Sequence, residues 1–352
     1  MTTKPRSRAS TRPARPRIRL EDFELGRQLG DATDAVLGGT WPAAPRHFGY
    51  PLLTQHLDGF KNSLYVLAGA SRMGKTTFSL QLAYQSLRDN PDTHALYVSL
   101  DQPARELNVR LAAMAGEAPV DYVVRPDPLL EEKYDRKRQA GIRAVSELKE
   151  RLTIIDETHG GLSLDDLSSL VEQKRQAFDG PLLVFLDPIY KLRVPGVLDF
   201  TQRMDWLSQE LKTLAMSKNV AIVGTTRLAH GAGKRRPTLE DLEEQAALLY
   251  EAQVILLLYC DYFNNADTTF LEWEWGTDDL MVPIFELQVG KNKMGAFSGR
   301  LYYRFYNSFS KFRECPQVEN ENYDRMLKNL QRKDPEHEGG EETVVQRFEV
   351  ID

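Results

Sequence analysis

The sequence predicts an α/β fold: one domain on a mostly parallel central sheet, flanked by helices, with an antiparallel edge at its C-terminal end. Three observations carry that expectation. Between residues 64 and 259, short and continuously apolar runs alternate with segments of helical spacing, the pattern of strands buried on both faces. The first such run, Leu64-Tyr65-Val66-Leu67-Ala68, leads straight into Gly69-Ala70-Ser71-Arg72-Met73-Gly74-Lys75-Thr76, and helical spacing resumes over Thr77–Ser86. Beyond residue 268 the strand-like runs follow one another with only turns between them, which is an antiparallel arrangement.

Element by element, a short amphipathic helix is expected over 21–35, closed by Gly38-Gly39 and the Pro42 turn. Residues 46–63 lead into the first strand at 64–68. Apolar character marks further strands at 95–100, 152–155, 182–186, 220–225 and 254–259. Helical spacing marks 104–115, 138–151, 164–177, 204–217 and 239–250. The closing strands are expected at 269–275, 284–289 and 301–306. No internal repeat is evident. In domain terms, 1–20 reads as a disordered basic tail, 21–45 as a linker helix, 46–315 as the folded domain and 316–352 as a polar, acidic tail.

Composition narrows the class. The 352 residues are 41% hydrophobic and 27% charged, ordinary for a globular protein. No apolar run reaches the roughly 18–20 residues that span a bilayer, and the N-terminus has no secretory-type apolar stretch. Two cysteines, Cys260 and Cys315, make neither a disulfide framework nor a metal-ligand spacing, so a reducing cytosol is expected. The net charge of −6 does not advertise nucleic-acid binding. Its distribution says more: Lys4, Arg6, Arg8, Arg12, Arg15, Arg17 and Arg19 face no acid within 1–19. That arm reads either as a solubilising tail or as a contact for nucleic acid or another acidic partner.

The 69–76 segment carries the chemistry. It fits G-x-x-x-x-G-K-[ST], the phosphate-binding loop, whose glycines let backbone N–H groups curl around a triphosphate. Lys75 reaches the outer phosphates, and the Thr76 hydroxyl is placed to ligate Mg²⁺. Strand, loop and helix in that order put the phosphates at a helix N-terminus. The buried run 182–186 ends in Asp187, the position from which a carboxylate assists Mg²⁺, or else caps the turn before Pro188. A nucleoside triphosphate and Mg²⁺ are therefore the expected ligands. Asp156, Glu157 and His159 read as a surface loop or, less simply, as a partial metal site. Trp273 and Trp275 share one face of a strand, for packing or for stacking on bases.

In the order in which they occur, several stretches resemble the C-terminal motor domain of the DnaB-type replicative helicases, a branch of the RecA-like ATPases. They are Met73-Gly74-Lys75-Thr76-Thr77-Phe78; Ser99-Leu100-Asp101-Gln102-Pro103; Leu211-Lys212-Thr213-Leu214-Ala215; Arg236-Pro237 through Asp241-Leu242; Tyr259-Cys260-Asp261; and Gly290-Lys291-Asn292-Lys293-Met294-Gly295. The resemblance implies a RecA-like ATPase that binds nucleotide through Gly69 to Thr77. It also implies single-stranded DNA as partner, and a ring, hexameric in the family, with ATP hydrolysed between subunits. The catalytic glutamate of the family falls on Asp101, one methylene and about 1.5 Å shorter. The γ-phosphate-sensing glutamine falls on Arg227, and the trans-acting arginine finger on Lys293, beside Lys291. Lysine keeps the charge of that finger but loses the two-pronged fork. The family's N-terminal, primase-recruiting domain has no room in the first 45 residues, so a conventional primase partnership is not expected. The reading is thus a DnaB-like helicase or single-stranded DNA translocase of the cytoplasm, serving DNA replication. The alternative is a slow switch or loader resembling the KaiC-like and plasmid-replication ATPases, which the three departures favour.

Overall fold

A computed structural model describes residues 47–157, 161–197, 199–229, 231–261, 271–274 and 280–332. The expected helix at 21–35, the basic arm, His159 and Trp275 lie outside them, and of Trp273 only the backbone is described. Helix α1 (Pro51–Leu57) starts on proline, whose missing N–H costs nothing in a first turn. Strand β1 (Leu64–Gly69) is buried at every position and passes through the phosphate loop into α2 (Lys75–Asp89). Then come β2 (His94–Ser99), α3 (Ala104–Gly116), α4 (Val120–Val124) and α5 (Glu131–Ser146). The helix expected over 138–151 is thus shifted towards the N-terminus, because its register is set by α3. A Cβ at Gly116 would lie 2.0 Å from the Lys137 carbonyl oxygen, and one at Gly141 2.1 Å from that of Ala112. Only paired glycines allow the two backbones to approach so closely.

Strand β3 (Leu152–Asp156) is followed by α6 (Leu164–Ala177), which opens on a capping box between Ser163 and Asp166. Strand β4 (Leu182–Asp187) leads by a short turn to α7 (Phe200–Ser217), capped by Asp199, and then β5 (Val220–Arg227). The single helix expected over 239–250 is instead a 3₁₀ stretch, Leu239–Gln245, and a short helix α8 (Ala247–Glu251). Buried Gln245 stands where the run changes, tied to β5: its amide nitrogen donates to the Arg227 carbonyl at 2.8 Å while its amide oxygen takes the Thr226 hydroxyl. Strands β6 (Val254–Tyr259), β7 (Leu271–Glu274), β8 (Leu280–Asn292), β9 (Arg300–Tyr306) and β10 (Lys311–Glu314) complete the sheet.

Its order is β10-β9-β8-β6-β1-β5-β4-β2-β3, with β7 paired to β8. From β6 to β3 all neighbours are parallel; β8, β9 and β10 are antiparallel, as expected for the C-terminal edge. Alternation along β1 feeds two cores: Tyr65 and Leu67 pack on one face with Phe78, Tyr97 and Phe185, whereas Leu64, Val66 and Ala68 pack on the other with Leu207 and Leu211. Truncating one such side chain, Leu67→Ala for example, is expected to cost about 2–5 kcal/mol.

The polar tail expected from 316 onward begins instead with helix α9 (Gln317–Arg332). Its Tyr323 and Leu327 are buried against Ile284, Tyr302 and Cys315. Asn320 is buried as well: its Oδ1 accepts the Tyr302 N–H at 2.8 Å and its Nδ2 donates to the Cys315 carbonyl at 2.6 Å. Among the described residues no helix is long and apolar enough to cross a membrane.

Candidate nucleotide site at the strand tips

The site grows from β1. Gly69 closes the strand, and a Cβ there would come within 2.9 Å of the Leu258 carbonyl of β6. Gly74 holds φ at +72° and forms the N-cap of α2 without any side-chain cap. The first N–H groups of that helix therefore point unclaimed by side chains into the loop, the arrangement that suits a phosphate. Arg72 also takes a positive φ, 64°, as the loop turns. Ala70, Ser71 and Met73 complete the curl, and the Phe78 N–H returns to the Gly74 carbonyl at 2.8 Å to start the helix.

Lys75 lies across this curl. Its Nζ donates to the carbonyls of Gly69 at 2.9 Å and Ala70 at 2.7 Å. Burial pushes its pKa down to about 8, against an upward pull from Asp187. Thr76, in the first turn of α2, is half-buried, and Thr77 is buried.

Asp187, at the tip of β4, is 3% exposed. Its carboxylate accepts the Thr225 hydroxyl from β5 and the Tyr97 hydroxyl from β2, the latter at 3.2 Å. Tyr97 in turn lies 2.9 Å from the Ser79 hydroxyl of α2. Burial first, and then Asp187, hold the Tyr97 phenol well above its ordinary pKa, so it stays a neutral donor. This chain of hydroxyls, which the sequence reading missed, locks the carboxylate beside the phosphate loop. A carboxylate and the threonine hydroxyl of Thr76 are hard oxygen donors of the kind Mg²⁺ takes alongside its waters and nucleotide phosphates. These residues fit that ion, and among the described residues no group of three or more His, Cys, Asp or Glu side chains is placed to hold a metal.

Asp101 follows β2, beside the Asp187 strand, where the Leu100 N–H bonds the Asp187 carbonyl at 2.7 Å. Its carboxylate is 55% exposed and accepts from Lys191 Nζ at 2.5 Å. Arg227 ends β5, with its guanidinium 5.2 Å from the Tyr190 ring and 5.4 Å from that of Phe200. Tyr190 and Lys191 carry no motif, so nothing in the sequence marked them. The segment after β5 also lies on the loop: a Cβ at Gly233 would sit 2.8 Å from that of Ala70. Arg236 anchors that segment by a two-pronged pair with Glu286, whose carboxylate is 3% exposed. Burial lifts the Glu286 pKa, and Arg236 opposes the rise.

Lys291 and Lys293 are elsewhere. Ile255 of β6 pairs with Lys291 on one side and with Val66 on the other, whereas Leu258 pairs with Leu287 and with Gly69. Three strand residues, about 10 Å, thus separate the Lys291 level from the phosphate loop. Lys293 lies farther off, its N–H on the Gln253 carbonyl at 2.9 Å. Its side chain, about 6 Å long, donates to the Tyr250 carbonyl at 3.0 Å, while Lys291 Nζ bonds the Leu249 carbonyl. Burial, and then the neighbouring Lys293, push Lys291 down to about 8. Of the expected site residues, the structure gathers Gly69–Thr77, Asp187, Asp101 and Arg227 at adjoining strand tips, whereas the two lysines, expected to act on a neighbour's site, lie towards the opposite strand ends. Asp156, proposed with Glu157 and His159 as a partial metal site, has its Oδ2 engaged by the Ala104 N–H at 2.7 Å.

Comparison with known proteins agrees with this geometry. Residues 47–314 match the family described as DnaB-like helicase C terminal domain. The replicative DNA helicase DnaB of Rickettsia typhi is 27% identical over 286 residues, 74% of this chain and 55% of the relative. That of Haemophilus influenzae is 27% identical over 270 residues, 75% of this chain and 54% of the relative. The chain therefore spans about half the length of the curated relatives it matches. Among solved structures, an ATPase domain superposes with a TM-score of 0.69 at 20% identity, covering 83% of this chain and 99% of that one. A DnaB-like replicative helicase, studied for its interactions with primase, gives 0.66 at 20% identity over 82% of this chain and 66% of that one. Both, at that identity, speak for the RecA-like fold. Together with the phosphate loop and Asp187 at adjoining strand tips, the match over most of the chain places it: the chain belongs to the family of DnaB-like helicase C-terminal domains.

Proposed function

We propose that this protein hydrolyses ATP between copies of itself, with Mg²⁺ held by Thr76 and Asp187, and spends the turnover on moving along single-stranded DNA as a DnaB-like helicase or translocase. One observation carries the reading. The phosphate loop and the Lys291–Lys293 pair stand at opposite ends of the same strands, about 10 Å or more apart along them. A lysine cannot reach its own chain's phosphates over that span, so the far end can serve hydrolysis only when a second copy docks against the first. A closed ring, hexameric as in the family, satisfies every such interface.

Within a site, Lys75 and the N-terminus of α2 hold the triphosphate. Mg²⁺, when bound, draws charge from the outer phosphates. Asp101 orients the attacking water, Arg227 stands near the γ-phosphate, and Lys293 with Lys291 arrives from the neighbour to meet the charge that develops in the transition state. The work belongs in the cytosol, beside replicating DNA.

A second reading has an observation of its own. Asp101 is held by Lys191 and Arg227 by Tyr190 and Phe200, and both stand where the family has other residue types. A slow ATP switch or loader, resembling the KaiC-like ATPases, accommodates those departures. The two readings part in one assay. ATP hydrolysis is measured with and without single-stranded DNA, beside the mass of the assembly formed with a non-hydrolysable ATP analogue. Strong stimulation by DNA on a ring supports the motor. Slow turnover indifferent to DNA selects the switch, and a monomer under all conditions rules out hydrolysis between subunits.

A further inference from the structure

Ile189–Lys191 forms a single 3₁₀ turn just after Asp187, closed by the Leu192 N–H on the Ile189 carbonyl at 3.0 Å. The turn is anchored from beneath. Ile189 and Leu192 are both buried, and Ile189 fills a notch left by Gly224 of β5, where a Cβ would lie 2.1 Å from its Cδ1. On the outside of this plug the two side chains between the anchors point to two different strand tips. Lys191 donates to Asp101 at 2.5 Å, and Tyr190 stacks under Arg227 at 5.2 Å. Asp101 and Arg227 come from strands 126 positions apart in sequence order, yet one rigid turn holds both.

We infer that the Tyr190–Lys191 turn is a positioning bracket for ATP hydrolysis: Lys191 orients the Asp101 carboxylate, and Tyr190 orients the Arg227 guanidinium. It rests on the reading of Asp101 and Arg227 given above. An aspartate more than half exposed turns freely about its side-chain torsions unless something holds one oxygen. Lys191 takes Oδ1 and leaves Oδ2 to accept from a water. An ion pair this open adds little to stability, because water screens it. Its effect is on geometry, and a misplacement near 1 Å can cost on the order of a hundredfold in rate. The flat face of Tyr190 does the same for Arg227, by cation–π contact, without using any of its N–H donors. The buried plug at Gly224 makes the bracket rigid, as the support of a reacting group has to be.

The test is steady-state hydrolysis by the full chain with Lys191→Met. The expected result is a drop in kcat of about tenfold, with KM and the affinity for a fluorescent ATP analogue unchanged, and recovery of most of the loss in Lys191→Arg. In an Asp101→Asn background the same substitution is expected to cost nothing further, since the two groups act as one. Tyr190→Ala lowers kcat in the same way, and Tyr190→Phe, which keeps the ring, recovers it. A kcat at or above the parent in Lys191→Met, or a full additional loss in the Asp101→Asn background, overturns the inference. A second measurement needs no turnover: acylation of the Lys191 amine at pH 9, read by peptide mass spectrometry. Hydrogen bonding to Asp101 holds that ammonium above its ordinary pKa, so Asp101→Asn is expected to speed its acylation several-fold. An unchanged rate overturns the pairing. A parent that hydrolyses no ATP at all refutes the ATPase reading, and the acylation rate still decides whether the bracket exists.

Discussion

The two ends of the strands are built on different principles. At the phosphate-loop end, the charged groups are held by partners within the chain: Asp187 by Thr225 and Tyr97, and Lys75 by the carbonyls of Gly69 and Ala70. At the other end Lys291 and Lys293 lie side by side on the carbonyls of Leu249 and Tyr250, and burial, then the nearby Lys293, lowers the Lys291 pKa. The first end is preorganised to hold a nucleotide unaided. The second is a pair of cations with backbone dipoles for company, and an anion brought by a second copy would complete it. On the proposed function, the contrast would separate binding, carried by one chain, from turnover, shared by two.

The largest effect should come from breaking the first end. Lys75→Ala removes the cation placed against the outer phosphates. Hydrolysis is expected to fall by about a thousandfold or more, with a marked loss of triphosphate affinity. Calorimetric titration with a non-hydrolysable analogue and a phosphate-release assay read both. Parent-level hydrolysis would mean that nucleotide is held somewhere else.

Breaking the second end should leave binding alone. Lys293→Ala is expected to bind ATP with near-parent affinity and to hydrolyse it about a hundredfold more slowly. Mixed with Asp101→Asn, it should regain part of the activity, because some interfaces then pair an intact Asp101 with an intact Lys293 from the neighbour. A lysine acting within its own chain allows no such rescue, since every chain carries one defect. Mixing that restores nothing, while the variants are seen to co-assemble, sinks the shared-site reading.

How far the sequence reveals each end follows from the physics of each. The strand, phosphate loop and helix were legible because glycine, lysine and threonine are needed at fixed local spacing. So was the parallel sheet, from continuous apolar runs such as 182–186. The partners of Asp187 were not, because Tyr97 and Thr225 lie on separate strands and only the folded sheet brings their hydroxyls together. Lys191 was invisible for the same reason: its link to Asp101 spans 90 residues. The helix at 317–332 was hidden by its polar composition; the clue was the spacing of Asn320, Tyr323 and Leu327, which share a buried face. The break in 239–250 was unreadable because the partners of the Gln245 side chain, Thr226 and Arg227, lie on a separate strand.

A pH series sharpens the comparison with a smaller effect. Lys75 sits at about 8, so its ammonium is intact at pH 7 and mostly lost at pH 9. Since the triphosphate needs that charge, ATP affinity is expected to weaken by about tenfold between those two values. Lys75→Arg, which stays charged, should flatten the profile even if its affinity is lower. Lys291 also sits at about 8 but faces no phosphate of its own chain. Lys291→Arg should therefore leave the pH dependence of affinity untouched and flatten that of kcat. If both variants flatten the affinity profile, the two ends are not separate in the way drawn above.

The smallest effects should be gains, and they set the two ends against each other most finely. At the phosphate end, Asp101→Glu restores the longer arm, about 1.5 Å of reach. The Lys191 pair was formed to fit the shorter one, so any rise in turnover is expected to stay within a few-fold. At the far end, Lys293→Arg replaces a point charge by a planar fork able to make two parallel bonds to one phosphate. Lys293 is exposed and donates to a single carbonyl, so the larger head meets little resistance there. Turnover is expected to rise a few-fold, with ATP affinity unchanged because the gain appears only in the transition state. On the shared-site reading the two side chains belong to different subunits and touch different atoms of the same reaction, so the double variant should exceed the parent by the product of the two separate gains. A double variant no better than Lys293→Arg alone would show that Asp101 and Lys191 already set the water as well as this fold allows. A fall in kcat for Lys293→Arg with affinity intact would instead show that the neighbour's site has been shaped around lysine.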